Sequence, residues 1–241
     1  MRGPVPLAGF DAAIIDLDGT MVDTLGDFVA ALNLMLSDLK LAGQSPLDRS
    51  TVEPMVGKGS ENLIKSVLNH LETQWLRAQP ATELIAIDGL RTFDAAFASY
   101  QKHYLAINGQ HSHVYPGVVE GLNAMQRTGI KLACLTNKPL AFADALLKLK
   151  GLDGFFSQVF GGDSFERKKP DPMPLLKTCA ALGSSPARTL MVGDSSNDAQ
   201  AARAAGCTVV LVTYGYNHGE PIRGVDADGF IDSLAELLVQ T

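Results

Sequence analysis

The sequence predicts an α/β fold in which a doubly wound parallel sheet carries an inserted helical lid. Short apolar runs typical of strands alternate along the chain with segments of helical periodicity, and this alternation favours parallel strands joined by crossover helices. A long interval between the first and second apolar runs has helical periodicity without a convincing strand. Four polar clusters follow apolar runs, and ligands of such sheets bind beyond the carboxyl ends of the strands.

The elements of the sheet follow one another in a regular order. The predicted strands are short apolar runs at residues 12–17, 130–135, 158–160, 189–192 and 208–212. Helical periodicity precedes or follows them at residues 118–128, 140–150, 174–182, 198–205 and 234–239. Gly129 and Gly206 stand where a helix is expected to stop before the next strand.

The insert is predicted to be a separate helical domain at residues 23–109, so that residues 1–22 and 110–241 form the sheet domain. Apolar residues recur at helical spacing over 25–39, 63–71 and 84–104. The two connections to the sheet domain lie near residues 21–24 and 111–116. A helical lid hinged there is expected to close over the strand ends.

The composition predicts a soluble globular protein and disfavours several function classes. The chain has 241 residues, of which 46% are hydrophobic and 19% charged. A formal net charge of −6, without a stripe of lysine and arginine, argues against a nucleic-acid partner. No apolar run is long enough to span a membrane, and Pro4, Pro6 and Asp11 interrupt the stretch that a signal peptide needs. We therefore expect a cytoplasmic protein without a membrane partner.

Two carboxylates end the first apolar run. Asp16 and Asp18 follow Ile15, and Gly19 comes next. Side chains two residues apart on an extended chain point the same way, so both can approach one cation, and a hard divalent ion such as Mg²⁺ offsets their repulsion. A strand-ending turn in which Asp and Gly serve only backbone geometry is the alternative. This segment alone does not decide between the two.

Three further polar clusters follow other apolar runs. They are Thr136-Asn137-Lys138, the segment 168–172 with the sequence KKPDP, and the segment 193–198 with the sequence GDSSND. Each by itself is also typical of a helix cap, a first-turn acid or a rigid proline loop. Because the carboxyl ends of parallel strands share one edge of the sheet, we expect all four clusters to converge on one pocket. The convergence, rather than any single cluster, predicts a functional site.

The four clusters, taken in order, resemble the four motifs of the haloacid dehalogenase-like phosphohydrolases. The segments are DLDGTMVDT, LTNK, KKPDP and VGDSSND. The resemblance extends from residue 10 to about residue 206 and implies a Rossmann-like core with a helical cap in the family's first position. It also implies that Asp16 is the nucleophile that forms an aspartyl-phosphate, and that Asp18 is the acid and base for the leaving alcohol and then for water. The cofactor it implies is Mg²⁺, held by the Asp16 side chain, the Asp18 main-chain carbonyl and Asp194.

The resemblance implies roles for four further residues. Thr136 and Lys169 match the groups that bind the phosphoryl oxygens, where phosphoryl transfer needs hydrogen-bond donors and positive charge. Asn137 is expected to add a donor beside Thr136. Asp198 matches the last acid of the fourth motif and is expected to orient a metal-bound water or Lys169.

Asp18 also separates this chain from relatives of other chemistry. The resemblance implies that the superfamily's dehalogenases and phosphonate hydrolases lack an acid at this position, so the chain resembles a phosphatase or a phosphomutase. Its motifs, with the cap segment VGKG at residues 56–59, most resemble those of phosphoglycolate phosphatases. Sugar-phosphate phosphatases and β-phosphoglucomutase-like mutases share the same set of motifs, so both stay alternative interpretations. A non-catalytic binding protein is disfavoured, because a retired site has no physical reason to keep buried, mutually repelling acids.

Lys58 is predicted to face the pocket and to pair with the carboxylate of 2-phosphoglycolate. It lies in a glycine-flanked loop just before a helix expected to begin near Ser60, and the glycines permit a close approach of the backbone. A solvated surface lysine is the alternative. The expected partner is thus a small-molecule phosphate ester, and the sequence does not distinguish a monomer from a homodimer.

Overall fold

The computed structural model describes residues 6–41, 46–78 and 89–237. Its strands are β1 (Ala12–Ile15), β2 (Val22–Asp23), β3 (His113–Val114), β4 (Lys131–Leu135), β5 (Gln158–Phe160), β6 (Thr189–Gly193), β7 (Thr208–Val212) and β8 (Gly229–Ile231). Six of them form a parallel sheet in the order β5-β4-β1-β6-β7-β8. The predicted α/β fold with a doubly wound parallel sheet is confirmed.

The α-helices fall into two groups. Between β2 and β3 lie α1 (Leu25–Asp38), α2 (Arg49–Val52), α3 (Ser60–Ala78) and α4 (Gly89–Ile107). After β3 come α5 (Val118–Arg127), α6 (Leu140–Leu149), α7 (Met173–Leu182) and α8 (Ser196–Ala205). The second group alternates with the strands, as the crossover connections of a parallel sheet require.

Helices cover both faces of the sheet, and alternate residues of each strand face opposite sides. Ala13 and Ile15 belong to the apolar cluster that includes α5 and α6, whereas Ala12 and Ile14 belong to the cluster that includes α7 and α8. All four side chains are fully buried. An unbroken apolar run is therefore the pattern expected for β1, which has helices on both sides.

The direction in which the sheet grows reverses at β1. β4 and β5 extend from one edge of β1, whereas β6, β7 and β8 extend from the other. Such a switch point leaves a crevice at the carboxyl ends of the central strands, where open α/β sheets bind ligands. The residues that follow β1, β4 and β6 are thereby brought to one crevice.

We use the term cap for α1 to α4 and the described loops between them. The cap has its own apolar core, which includes Phe28, Leu32, Ile64 and Tyr100. β2 and β3 pair in antiparallel fashion, with Val22 opposite Val114, so the two connections between the cap and the sheet run side by side. The domain boundary at residues 23 and 109 stays a prediction.

Some elements differ from the prediction. β1 ends two residues early, at Ile15, because the chain turns and the Leu17 carbonyl accepts the N–H groups of Met21 and Val22. β2, β3 and β8 are two or three residues long, too short for a periodicity to reveal. The predicted helix 234–239 is a 3₁₀ turn at Leu234–Leu237, and residues 238–239 lie outside the described residues. Residues 84–88 of the predicted helix 84–104 also lie outside them. No described helix is long and apolar enough to cross a membrane.

Candidate active site

A pocket lies between the carboxyl ends of the strands and the cap. The cap contributes Phe28, Val56, Gly57, Leu63 and Tyr104 to its walls. All of the predicted site residues except Lys58 line it, namely Asp16, Asp18, Thr136, Asn137, Lys169, Asp194 and Asp198. The structure thus brings together side chains from four segments that lie far apart in the sequence.

Three buried carboxylates meet at the base of this pocket. Asp16, Asp194 and Asp198 each place one oxygen within 4.8 Å of the others. Burial raises the pKa of Asp16 from 3.8 to about 7, although the charge of Lys169 opposes the shift. Burial, followed by the charges of Asp198 and Asp16, raises the pKa of Asp194 well above its usual range. The cluster therefore favours a bound cation, which stabilises the ionised carboxylates.

Lys169 supplies a buried positive charge beside these acids. Its Nζ donates to Asp198 Oδ1 at 2.7 Å and to the Leu135 carbonyl at 2.8 Å. It lies 3.0 Å from Asp16 Oδ1 as an ion pair, but that oxygen receives no hydrogen bond of good geometry. Burial opposes the charged form of Lys169, but Asp16 and Asp198 outweigh it and raise its pKa. Lys169 is therefore an ammonium ion at neutral pH.

Asp198 has both carboxylate oxygens engaged by the protein. Oδ1 accepts from Lys169, while Oδ2 accepts from the Asp194 N–H at 3.3 Å and from the N–H and hydroxyl of Ser195 at 3.2 and 2.8 Å. Such an acid orients its neighbours more readily than it binds a metal. The geometry fits the predicted orienting role of Asp198 toward Lys169.

The turn after β1 requires a glycine. Gly19 has a φ of +83°, and a Cβ at this position would lie 2.1 Å from Asp194 Oδ2. Thr20 donates from its hydroxyl to Asp194 Oδ1 at 3.2 Å. The loop after β1 is thereby held directly against the loop after β6.

Lys138 belongs to the site although the sequence assigned it no role. It is buried and lines the pocket, and its Nζ donates to Asp18 Oδ1 and Oδ2 at 3.0 and 3.2 Å. The same ammonium donates to the Tyr104 hydroxyl of the cap at 2.5 Å. It also lies 4.9 Å from the ring centre of Phe28. The only signal in the sequence was its place next to Thr136 and Asn137.

Asn137 does not have the free donor that was predicted for the substrate. Its amide donates to the Gly57 carbonyl of the cap at 3.1 Å and to the Lys169 carbonyl at 2.9 Å, and its oxygen accepts the Lys169 N–H at 3.1 Å. Both amide hydrogens are thus in use, and Asn137 fastens the loop of Lys169 to the cap. Thr136 is buried beside it, and its hydroxyl, which accepts the Lys138 N–H at 3.2 Å, still carries a hydrogen to donate.

Lys58 also differs from the prediction, because its side chain is exposed and does not line the pocket. The glycine before it makes the contact instead. The Gly57 carbonyl accepts from Asn137 and from Asn197, each at 3.1 Å. Gly57 has a φ of +105°, and a Cβ there would lie 2.8 Å from His218 Cε1. The glycine-rich segment therefore docks the cap onto the sheet domain.

Tyr216 is a second residue that the sequence analysis missed. Its N–H donates to Asp194 Oδ2 at 2.6 Å. Its hydroxyl donates to Asp23 Oδ1 and accepts the N–H groups of Thr24 and Leu25 at 3.0 and 3.1 Å. Tyr216 thus joins the acid cluster to the first residues of the cap. It lies in a loop after β7 that carries no recognisable motif, so no sequence signal singled it out.

The donor set fits a divalent cation such as Mg²⁺. Asp16 Oδ1 is buried without a hydrogen-bond donor, and carboxylate oxygens are the ligands that Mg²⁺ prefers. Among the described residues that line the pocket, four carboxylates face two ammonium groups, which leaves two negative charges when all are ionised. One Mg²⁺ balances them.

Comparison with known proteins agrees with the fold described above. Residues 13–212 match the family described as haloacid dehalogenase-like hydrolase. The chain is 42% identical to phosphoglycolate phosphatase of Thiobacillus denitrificans over 233 residues, covering 97% of this chain and 95% of that protein. It is 43% identical to the plasmid phosphoglycolate phosphatase of Cupriavidus necator, with 94% and 90% covered. The crystal structure of a predicted phosphoglycolate phosphatase from Haemophilus somnus superposes with a TM-score of 0.85 at 31% identity and covers 95% of this chain and 97% of that one.

Proposed function

Because this chain belongs to the haloacid dehalogenase-like hydrolases, we propose that it is a Mg²⁺-dependent phosphatase that converts 2-phosphoglycolate into glycolate and phosphate. The observation that carries the chemistry is Asp16, a buried carboxylate with one oxygen free of hydrogen bonds, beside the ammonium of Lys169. The substrate is supported by relatives more than 40% identical that are named phosphoglycolate phosphatases.

In the first step, an Asp16 oxygen attacks phosphorus while the bond from phosphorus to the bridging ester oxygen breaks. Asp18 gives a proton to the leaving alkoxide, so glycolate departs as an alcohol. Asp16 is left as an aspartyl-phosphate. In the second step, Asp18 takes a proton from a water molecule that attacks the same phosphorus, which releases phosphate and restores the Asp16 carboxylate.

Lys169 and the Thr136 hydroxyl are proposed to hold the nonbridging phosphoryl oxygens. Positive charge and donors aimed at these oxygens stabilise the transition state of phosphoryl transfer. Lys169 is suited to this role because Asp198 and the Leu135 carbonyl already fix its Nζ. The Lys169 side chain therefore does not have to change its rotamer when the substrate binds.

Asp16, the Asp18 main-chain carbonyl and Asp194 would hold the Mg²⁺. When bound, the ion offsets the repulsion between the carboxylates and the phosphate and withdraws charge from the phosphoryl oxygens. Tyr216 and Thr20 would keep Asp194 in place through their contacts with its two oxygens. The cap side chains Phe28, Leu63 and Tyr104 form an apolar wall, which limits the access of water to the reacting phosphorus.

The test is a screen of phosphate monoesters that compares phosphate release with and without Mg²⁺ and ranks the substrates by kcat/KM. The proposal predicts that 2-phosphoglycolate ranks above hexose phosphates, and that Asp16→Asn loses activity on every ester. A higher kcat/KM for a hexose phosphate would identify a sugar phosphatase. Conversion of a hexose 1-phosphate into its isomer without phosphate release would identify a mutase. The cytoplasmic location and the monomeric or homodimeric state stay predictions.

A further inference from the structure

Two ammonium groups line the pocket within the described residues, and they face different acids. Lys169 contacts Asp16 and Asp198, on the side of the nucleophile. Lys138 contacts both oxygens of Asp18, on the side of the proposed acid. The two cations therefore face different acids of the site.

Lys138 lies on the side of the pocket where the leaving group is expected. Asp18 must lie beside the bridging ester oxygen to give it a proton, and Lys138 Nζ lies 3.0 Å from Asp18 Oδ1. In 2-phosphoglycolate the carboxylate carbon is two bonds away from that bridging oxygen. A group that touches Asp18 is thus within reach of the carboxylate of this substrate.

A carboxylate needs such a cation to enter this pocket. The four acids that line it repel a second anionic group. Of the two lining cations, Lys169 is the one proposed to hold the phosphoryl oxygens, so Lys138 is the cation left for the carboxylate. Lys138 is 5% exposed, and its Nζ lies 4.9 Å from the ring centroid of Phe28 and 4.8 Å from that of Tyr104. An ion pair shielded from water in this way is stronger than one at the surface.

On these grounds we infer that Lys138 determines specificity, by pairing with the carboxylate of a phosphate ester whose leaving group carries an acid. The inference rests on the proposed phosphatase function and replaces the role predicted for Lys58. An ammonium has three hydrogens, of which Asp18 takes two in this structure and Tyr104 the third. The substrate carboxylate replaces one Asp18 oxygen as an acceptor from Lys138. The replaced oxygen is then free to face the ester, while the other Asp18 oxygen keeps its hydrogen bond from Lys138.

The cap has a positioning part in this arrangement. The Tyr104 hydroxyl accepts from Lys138, and its ring lies 4.8 Å from Nζ at the centroid. The ring of Phe28 stacks on that of Tyr104 and lies 4.9 Å from the same ammonium. With these two side chains in place, Nζ points toward Asp18 rather than into solvent.

The test uses two esters that differ in one group. 2-Phosphoglycolate carries a carboxylate where 2-hydroxyethyl phosphate carries an alcohol, and both leave as alkoxides that need a proton. kcat and KM are measured for both esters on the wild type, Lys138→Met and Lys138→Gln. The glutamine variant keeps a hydrogen-bond donor near Asp18 but lacks the charge.

Both variants are expected to lose activity on both esters, since Asp18 loses its partner. For 2-phosphoglycolate, kcat/KM is expected to fall by a further factor of about 10 to 100, the range for one hydrogen bond to a charged group, with most of that factor in KM. The ratio of the two kcat/KM values is measured on one preparation, so a loss of folded protein lowers both rates and leaves the ratio unchanged. The matched control is Lys177→Met, an exposed lysine on α7, which is expected to keep the wild-type ratio.

Three results would overturn the inference while leaving a phosphatase in place. They are a wild type without preference for 2-phosphoglycolate, Lys138 variants that keep the wild-type ratio, and a loss of the preference in Lys58→Met instead. In the second of these results, an equal fall of kcat for both esters with both KM values unchanged would show that Lys138 acts only by positioning Asp18. A wild type that releases phosphate from neither ester would refute the proposed function itself.

Discussion

Removal of one hydroxyl group, in Tyr216→Phe, tests how the cap is tied to the acid cluster. The ring is 4% exposed, so phenylalanine fills the same space. The N–H of residue 216, which donates to Asp194 at 2.6 Å, is not altered. What is lost is the donor to Asp23 and the acceptor for the N–H groups of Thr24 and Leu25.

The size of the effect follows from these partners. Asp23 loses a hydrogen bond to a charged group, for which about 1.5 to 3 kcal/mol is typical. The buried Thr24 N–H loses its acceptor, which costs about 1 to 3 kcal/mol, whereas Leu25 keeps a contact with Asp23 Oδ1 at 3.1 Å. Because Arg49 still pairs with Asp23, we expect the lower ends of these ranges to apply. The free energy of unfolding should fall by about 2.5 kcal/mol.

Urea denaturation measures this free energy, and Tyr214→Phe is the matched control. The Tyr214 hydroxyl donates to the neutral Thr20 carbonyl at 2.8 Å, so its loss should cost about 1 kcal/mol. The pKa of Asp23 is lowered, since the hydrogen bonds from Tyr216 and Arg49 outweigh its burial. The stability that Asp23 contributes is therefore present above its unfolded pKa and is lost as the pH falls through its folded pKa. In Tyr216→Phe the folded pKa of Asp23 should lie closer to its unfolded value, so the pH range over which this stability is lost should be narrower. Equal losses of unfolding free energy in the two variants at neutral pH would refute the reasoning.

Two further predictions follow from the same contacts. Gly57→Ala places a side chain at a φ of +105° and against His218. We expect this strain to weaken the docking of the cap by roughly 1 to 3 kcal/mol, so that kcat/KM falls about 10-fold or more. The control is Gly154→Ala, where nothing lies within 4 Å of the added Cβ, and this variant should stay active. Because burial raises the pKa of Asp16 to about 7, the stability contributed by its protonated form is complete below its ordinary value of 3.8 and is lost as the pH rises through about 7. The metal-free protein should therefore lose stability over this range, and Mg²⁺ should raise Tm more at about pH 8 than at about pH 5; an equal rise in Tm at both would count against a metal bound by Asp16.

Most of the sheet could be predicted because its strands are buried on both faces. The sequence AAII of β1 and the four residues LACL before Thr136 are apolar and buried, and parallel pairing then brings the polar residues that follow them to one edge. β8 and the β2 and β3 pair were missed for the opposite reason. They are two or three residues long and owe their existence to neighbouring strands rather than to local preference.

The site was predictable where its residues fall into short motifs. It was not predictable where a contact joins the cap to the sheet domain. Lys138 meets Tyr104 across 34 positions in the sequence, and Tyr216 meets Asp23 across 193. The prediction that Lys58 faces the pocket failed for the same reason. It rested on the glycines on either side, but the structure uses Gly57 to dock the cap onto Asn137 and Asn197.

Chemical trapping of the phosphorylated carboxylate tests the central claim most directly. The enzyme is quenched during turnover of 2-phosphoglycolate with hydroxylamine, which converts an acyl phosphate into a hydroxamate, and the modified residue is located by mass spectrometry. We predict the hydroxamate at Asp16, in amounts that depend on Mg²⁺, and none in Asp16→Asn. Steady release of phosphate with an unmodified Asp16, or with the label on another residue, would contradict the account.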